Sequence, residues 1–282
     1  MNAITGLVRI DCPYCHSAEF RPWAKEIGYD VVRCAECDLL YVNPAPAPET
    51  ISEAVKSGMH GAEAGNLDVR SRRVPGKVDH YHRMFGRLFP DLWSRKEPFH
   101  WLDVGAGYGE VIEAIGRLSP AGSVIEGVEP MTPKAELARS RGLLVTNDYL
   151  RRDHAPVDIV SSIDVFSHIP DYRAFIGDVV AVLKPGGEMV IVTGNLADVA
   201  DRSEFPDELG TPDHLVFAGK KHIVGLLEEA GFGIVAIDEQ RTDTLLNFAK
   251  TCAKRMLGRP GVIRLPYTSS YRQLVVRAKL KA

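Results

Sequence analysis

The sequence lacks the features that would commit it to a membrane, to export or to nucleic acid. No apolar run among its 282 residues is long enough to cross a bilayer. Met1 to Ile10 lacks the long apolar core of a secretory leader, so the expected location is cytoplasmic. Charge of either sign is not in excess. With 34 Lys and Arg against 37 Asp and Glu, the net charge of −3 gives no overall electrostatic reason to expect nucleic acid or a membrane as partner. Internal repeats and low-complexity tracts are absent, and cysteine is scarce at five residues. What remains, 45% hydrophobic and 25% charged, is ordinary globular composition, and the length allows one large α/β domain with a small appendage.

Four of the five cysteines stand close together, as Cys12-Pro13-Tyr14-Cys15 and Cys34-Ala35-Glu36-Cys37. Two C-x-x-C pairs eighteen residues apart have the spacing of a four-thiolate Zn2+ site. A reducing compartment disfavours the disulfide alternative. Short strands at Phe20–Trp23 and Tyr29–Arg33 would make this a zinc ribbon. The zinc would be structural, because four thiolates leave no open coordination position. His16 reads as a surface histidine and Cys252 as a small buried residue. The Pro-rich stretch Leu39 to Pro48 cannot continue a helix or a central strand and reads as a stiff linker. A helix is expected from Glu49 to Lys56, capped by Thr50 or Ser52, then a loose glycine-rich stretch from Ser57 to Asn66. From Val78 to Ser94, apolar and aromatic residues recur at helical spacing.

The most informative stretch is Trp101-Leu102-Asp103-Val104-Gly105-Ala106-Gly107-Tyr108-Gly109. A buried strand ends in three alternating glycines and opens a helix from Glu110 to Leu118, a turn where a ligand meets backbone with no Cβ in the way. A second strand, Ser123 to Val128, ends at Glu129, whose carboxylate is placed to accept both hydroxyls of a ribose. The spacing is G-x-G-x-G, not the G-x-G-x-x-G of a dinucleotide site. Preceded by Asp103, it resembles motif I of the class I S-adenosylmethionine-dependent methyltransferases. The order continues through Asn147-Asp148-Tyr149 after a third strand (Leu143–Thr146), a fourth strand (Val157–Ile163) before Asp164 to Asp171, and Leu183-Lys184-Pro185-Gly186-Gly187 before a fifth (Glu188–Thr193). The whole layout is similar to bacterial methyltransferases with an N-terminal four-cysteine zinc-binding domain, in which a phrase like Tyr41-Val42-Asn43-Pro44 closes the ribbon.

That resemblance implies an α/β fold, a seven-stranded Rossmann-like sheet with strand seven antiparallel (Gly233–Glu239 and Tyr271–Leu280 being strands six and seven), and a small zinc ribbon. The divisions are 1–43 for the ribbon, 44–95 for a linker and helical segment, and 96–282 for the methyltransferase domain. It implies S-adenosylmethionine as methyl donor and S-adenosylhomocysteine as product. Asp103 would reach the methionine amino group or cap the turn. Gly105, Ala106 and Gly107 would give close backbone approach, and Glu129 would hold the ribose. Asp148 would meet the adenine amino group or form an Asx turn, with Tyr149 or Leu150 beside it. Ser162 and Ile163 would lie beneath the sulfonium.

A hydroxyl acceptor needs a base, and two histidines are candidates. His168 follows strand four. His214 lies with Asp213 in the polar, Pro-containing insertion Leu196–Phe217, a suitable substrate lid. Asp213 would raise the basicity of His214, or His214 would only brace the lid. Relatives that C-methylate sugars carry a further C-terminal domain, and a tyrosine where Thr211 and Pro212 stand here, so O-methylation is expected. Acidic clusters with Mg2+ spacing are absent, as is the nucleobase-amine signature, since Ser161-Ser162-Ile163-Asp164 occupies its place. The expected reaction is O-methylation of a small-molecule or glycan acceptor in sugar, polysaccharide or secondary-metabolite biosynthesis. The alternatives are an RNA methyltransferase gripping RNA through its ribbon and the Arg70-Ser71-Arg72-Arg73 cluster, a sugar C- or N-methyltransferase, and a non-catalytic cofactor-binding module. Thr244 to Leu257 reads as an amphipathic helix with Lys250, Lys254 and Arg255 on its polar side.

Overall fold

The computed structural model describes residues 6–62, 65–70, 72–74, 76–94, 96–205, 207–259 and 262–281. The ribbon contributes β1 (Phe20–Glu26), β2 (Tyr29–Cys34) and β3 (Leu40–Val42), paired antiparallel in that order; the first part of the expected linker is thus a buried strand, because its prolines begin only at Pro44. Pro48 opens α1 (Pro48–Ser57) at its first turn, where its missing N–H costs nothing; Ala47 is the N-cap, not Thr50 or Ser52. Gly58 ends the helix in a left-handed conformation and donates its N–H to the Ala54 carbonyl at 2.7 Å. The next stretch is not loose. It forms a hairpin of β4 (Met59–Ala62) and β5 (Gly65–Asp68), steadied by the Tyr29 hydroxyl, which donates to the Gly61 carbonyl at 2.8 Å.

The main sheet has seven strands: β6 (His100–Val104), β7 (Val124–Val128), β8 (Leu144–Thr146), β9 (Val157–Ile163), β10 (Leu183–Gly194), then β12 (Phe232–Arg241) and β13 (Arg272–Leu280). Their spatial order is β8-β7-β6-β9-β10-β13-β12, parallel except for β13, which runs antiparallel to both neighbours. The seven-stranded fold with an antiparallel last strand is therefore present. Strand β10 begins at Leu183, so the Lys184–Gly187 turn belongs to the strand.

The helix α2 (Gly76–Leu88) buries Val78, Tyr81, Met84 and Phe85. Phe85 and Phe89 meet the fully buried Trp101 edge-on, which ties the helix to β6. The motif turn leads into α3 (Glu110–Gly116), β7 leads into α4 (Thr132–Ser140), and β9 into α5 (Tyr172–Val182), where Asp171 caps by accepting the Ala174 N–H at 3.0 Å.

The ribbon and the large sheet share one hydrophobic core. Cys12, Cys34, Leu39 and Tyr41 pack with Leu102, Phe166, Ile176, Leu215 and Ile223. The ribbon sheet even takes a fourth strand from the other side of the chain: β11 (Val216–Phe217) pairs antiparallel with β3, Val216 opposite Tyr41. The following helix, α6 (Lys220–Glu229), presents His222 to the second cysteine knuckle.

Candidate active site and metal site

The cofactor loop follows from tight packing around β6 and β7. The Gly105 and Ala106 amides both donate to the Val128 carbonyl, at 2.9 and 3.0 Å. Gly105 has φ +73°, and a Cβ there would stand 2.3 Å from Val165. Glu129, 6% exposed, accepts the Gly107 N–H at 2.7 Å and the Met131 N–H at 2.8 Å. The two amides hold the carboxylate rigidly against the glycine loop and leave further lone pairs for a ribose. Asp103, at 1% exposure, accepts the Ser161 hydroxyl at 2.5 Å, and Ser161 accepts the Trp101 indole N–H at 2.8 Å. Burial pushes the Asp103 carboxyl up to about 7; the Ser161 bond opposes this, and the charges of Glu129 and Glu110 add to it.

These residues line one open cleft of about 680 Å3, in the size range of small-molecule sites. Asp103, Gly105, Ala106, Gly107, Glu129, Tyr149 and Ile163 all face it, as do His168, Asp213 and His214. Two expected residues do not. Asp148 accepts the amide of Tyr149 at 2.8 Å, a local turn contact, and Tyr149 and Leu150 take the cleft wall. Ser162 is fully buried on the face of β9 opposite Ser161 and Ile163, because strand residues alternate, and its hydroxyl has no partner among the described residues. Ser161, on the other face, is the serine that bonds Asp103.

Asp213 and His214 meet His168 across the cleft. His168 Nδ1 lies 2.8 Å from the Asp213 main-chain carbonyl and 3.1 Å from its carboxylate, so this nitrogen must carry hydrogen. His214 Nδ1 lies 2.7 Å from the Leu209 carbonyl and must likewise donate, which leaves Nε2 of a neutral His214 as a lone pair. The rings touch edge to face, centroids 4.7 Å apart. Their titrations diverge. Burial lowers the His214 pKa below 6.5 and the charge of His168 lowers it further. For His168 burial also acts downward, but the bond and charge of Asp213 outweigh it and raise the value above 6.5. Asp213 bonds His168 directly, and it raises its sequence neighbour His214 only through its charge, which burial and His168 outweigh. Burial would raise Asp213, yet His168 and His60 hold it far below the usual carboxylate range.

His60 is a participant that sequence reasoning missed. It is 3% exposed on β4, and its Nε2 stands 3.1 Å from the Asp213 carboxylate, without the alignment of a full hydrogen bond. The three side chains His168, Asp213 and His214 bring possible ligand atoms within 4.8 Å of one another, but both Nδ1 atoms are committed to hydrogen bonds.

The four cysteines form the other cluster. All four Sγ atoms lie within 4.8 Å of one another, with Cys12 to Cys37 at 3.5 Å and Cys15 to Cys34 at 3.4 Å. The two knuckles match: His16 and Asp38 each end one in a left-handed conformation, with their amides donating to Cys12 and Cys34. Converging thiolates on paired knuckles fit a closed structural Zn2+. His16 is exposed and no ligand; Cys252 is only half-buried. His222 Nε2–H donates to the Cys37 carbonyl at 2.9 Å, its tautomer set by the Gly219 amide donating to Nδ1 at 3.0 Å.

The ribbon also grips the lid. Arg33, buried, donates to the carbonyls of Ala197 and Val199 at 2.8 and 2.6 Å. At the turn of the β1–β2 hairpin, the Glu26 carboxylate accepts the amides of Leu209, Gly210 and Thr211 at 2.8, 2.8 and 3.2 Å. The Leu209 carbonyl in turn orients His214.

Fold and cleft together define a class I S-adenosylmethionine-dependent methyltransferase domain, and Asp103 and Glu129 are buried carboxylates lining that cleft. The chain belongs to the methyltransferase-domain family, whose model matches residues 76–237, more than half of it. It is 34% identical over 140 residues to a ubiquinone biosynthesis O-methyltransferase of Paramagnetospirillum magneticum, covering 46% of this chain and 56% of that one. A protein of the same name from Maricaulis maris is 30% identical over 112 residues, or 36% of this chain and 44% of that one. The chain thus spans about half the length of these curated relatives. Among solved structures, geranyl diphosphate C-methyltransferase from Streptomyces coelicolor, in complex with Mg2+, geranyl diphosphate and S-adenosylhomocysteine, matches with a TM-score of 0.54 at 15% identity, covering 72% of this chain and 82% of that one. The [4+2]-cyclase SpnF matches with 0.52 at 16%, covering 71% and 82%. At these identities the likeness is one of fold.

Proposed function

We propose that the protein methylates a hydroxyl of a small, largely apolar acceptor, with His214 as the base. The observation that carries this is the tautomer of His214: Nδ1–H is spent on the Leu209 carbonyl, so the lone pair on Nε2 is available in the cleft. Its lowered pKa keeps that lone pair free of a proton at neutral pH. S-adenosylmethionine, when bound, supplies an already activated methyl group, so positioning and removal of one proton are what the protein must add. Glu129 and the glycine loop hold the ribose side and Asp103 the ammonium. His168, its Nδ1–H held by Asp213, stands beside the base.

Pro48, Ile51 and Val55 of α1, Val69, and Phe175 of α5 line part of the cleft wall. That wall suits a phenolic or polyketide-like hydroxyl better than a sugar, whose several hydroxyls would be left unpaired. The name of the curated relatives, ubiquinone biosynthesis O-methyltransferase, supports the same atom chemistry. Of the arginines on which an RNA reading would draw, Arg70 is paired with Asp68 at 2.8 Å and Arg73 with Glu113 at 3.0 Å, while Arg72 lines the cleft and Ser71 lies outside the described residues.

The test is a panel of catechols, phenols and sugars incubated with labelled S-adenosylmethionine, using wild type and His214→Asn. We expect phenolic products from wild type and a loss of about 10²–10⁴-fold in kcat from the variant, with unchanged binding of S-adenosylhomocysteine. Methylation of sugars alone, or a variant as active as wild type, would refute the assignment.

A further inference from the structure

The helix α7 (Leu245–Met256) is built like an interior element but turned the wrong way. Leu245, Leu246, Ala249, Ala253, Met256 and Leu257 recur at three- and four-residue spacing and make one apolar stripe. Phe248, Thr251 and Cys252, on the other side, are half-buried against the protein, whereas every residue of the stripe is exposed, Met256 at 87%. The helix has no buried residue. The segment beyond it continues the theme with exposed Val262, Ile263 and Leu265. Half of the large apolar side chains exposed among the described residues fall between Leu245 and Tyr267. Single exposed leucines are ordinary; a contiguous set marks an interaction surface.

Charge identifies the partner. From Thr244 to Ser270 there is no Asp or Glu, and there are five cations: Lys250, Lys254, Arg255, Arg259 and Arg264. The net charge of −3 conceals this concentration, so the expectation drawn from the whole chain does not hold locally. Beneath the helix lies a cavity of about 480 Å3 lined by Lys250, Lys254 and Arg264 together with Asn247, Asp207 and Asp243. The two carboxylates there are already engaged, Asp207 by Arg264 and Asp243 by Arg241. An apolar stripe flanked by lysines is the pattern of a helix lying in the plane of a lipid interface.

We propose that α7, with Val262, Ile263 and Leu265 beyond it, docks on an anionic phospholipid surface, the stripe against the acyl chains and Lys250, Lys254 and Arg255 among the phosphates. Topology makes the placement useful. Strand β12 runs parallel to β6, since it pairs antiparallel with β13 just as β10 does. Its end at Arg241, where α7 begins, is therefore on the same edge of the sheet as the cofactor loop. The two are separated by four strand spacings, about 19 Å. Docking would bring the open edge of the cleft to the bilayer. The proposal stands whichever hydroxyl the site methylates.

The test is co-sedimentation of the zinc-loaded full chain with vesicles of phosphatidylcholine alone or doped with phosphatidylglycerol, at low and high salt. Variants are Lys250→Gln/Lys254→Gln and Leu246→Ser/Leu257→Ser, all exposed, with S-adenosylhomocysteine binding as the check that each is folded. We expect sedimentation only with phosphatidylglycerol, weakened by salt. Each cation removed should lower partition roughly fivefold, so the double variant loses about twenty-five-fold. The leucine variant should lose partition as well. Any one of four results overturns the proposal: no binding to anionic vesicles by a folded protein, equal binding to phosphatidylcholine, capture of glycerol phosphate or RNA but not vesicles, or a dimer in light scattering that the leucine variant abolishes.

Discussion

Asp103 makes the cofactor site pH-dependent at the scale of one side chain. Its carboxyl titrates at about 7 in the folded protein, against 3.8 in an open chain, because burial disfavours the charge. Between those values the folded protein holds a proton that the unfolded chain has released. The contribution of Asp103 to the stability of the ligand-free protein therefore falls as pH rises from about 4 to about 7 and levels off above it. A cofactor ammonium at Asp103 needs the carboxylate, so affinity for S-adenosylhomocysteine should rise with pH by up to about tenfold per unit below 7. Calorimetric titration across that window checks it, with Asp103→Asn as control: the variant should bind weakly and without the slope, and a slope that persists would assign the proton elsewhere. The placement of Asp103 and Glu129 beside the glycine turn was legible because strand, turn and strand end are all written in local sequence. Ser161, His60 and His222 were not. Each acts through a partner far away in the chain, and no local pattern marks a serine as pointing at Asp103 and not at the opposite face.

At the scale of elements, the lid is shaped by the ribbon. The short apolar runs of β6 and β9, and the glycines of the turn after β6 and of the turn before Glu188, made the large sheet readable. The β4–β5 hairpin was missed because Met59-His60-Gly61-Ala62 and Gly65-Asn66-Leu67-Asp68 have little β-propensity of their own, and tertiary contacts such as Tyr29 to Gly61 hold them. The pairing of β11 with β3 was equally invisible, being a two-residue match across more than 170 positions. Its consequence is testable at Glu26. Removing that carboxylate leaves three lid amides without their acceptor, a cost of about 1–3 kcal/mol for each one left dry. Glu26→Ala should lower kcat by about tenfold or more by releasing the Leu209 carbonyl that orients His214. Affinity for S-adenosylhomocysteine should not change, and Glu26→Gln, which keeps an acceptor oxygen, should recover part of the rate. Equal losses in rate and cofactor binding would make Glu26 a general stabiliser and not a positioning residue.

For the whole molecule, the question is what the four-cysteine cluster supports. An independent ribbon would lose its own fold on metal removal and leave the methyltransferase sheet intact. Here Cys12 and Cys34 are fully buried in the same core as Leu102, Phe166 and Leu226, and Cys37 is held by His222 of α6. A structural Zn2+ contributes on the order of 10 kcal/mol to a small zinc domain, comparable with the whole stability of a typical domain. Loosening the knuckles should therefore propagate through the shared core. Cys15 is exposed and gives a chelator its point of entry. Stripping the metal, or Cys34→Ser, should lower Tm by about 10 °C or more. The order of loss is the discriminating observation. Arg33 and Glu26 tie the ribbon to the lid, whereas Asp103 and Glu129 are held within the large sheet. On graded chelation, methyl transfer should fail first and binding of S-adenosylhomocysteine last. Loss of both together would mean that the core responds as one unit, and an unchanged Tm would mean that the thiolates carry no metal on which the fold depends.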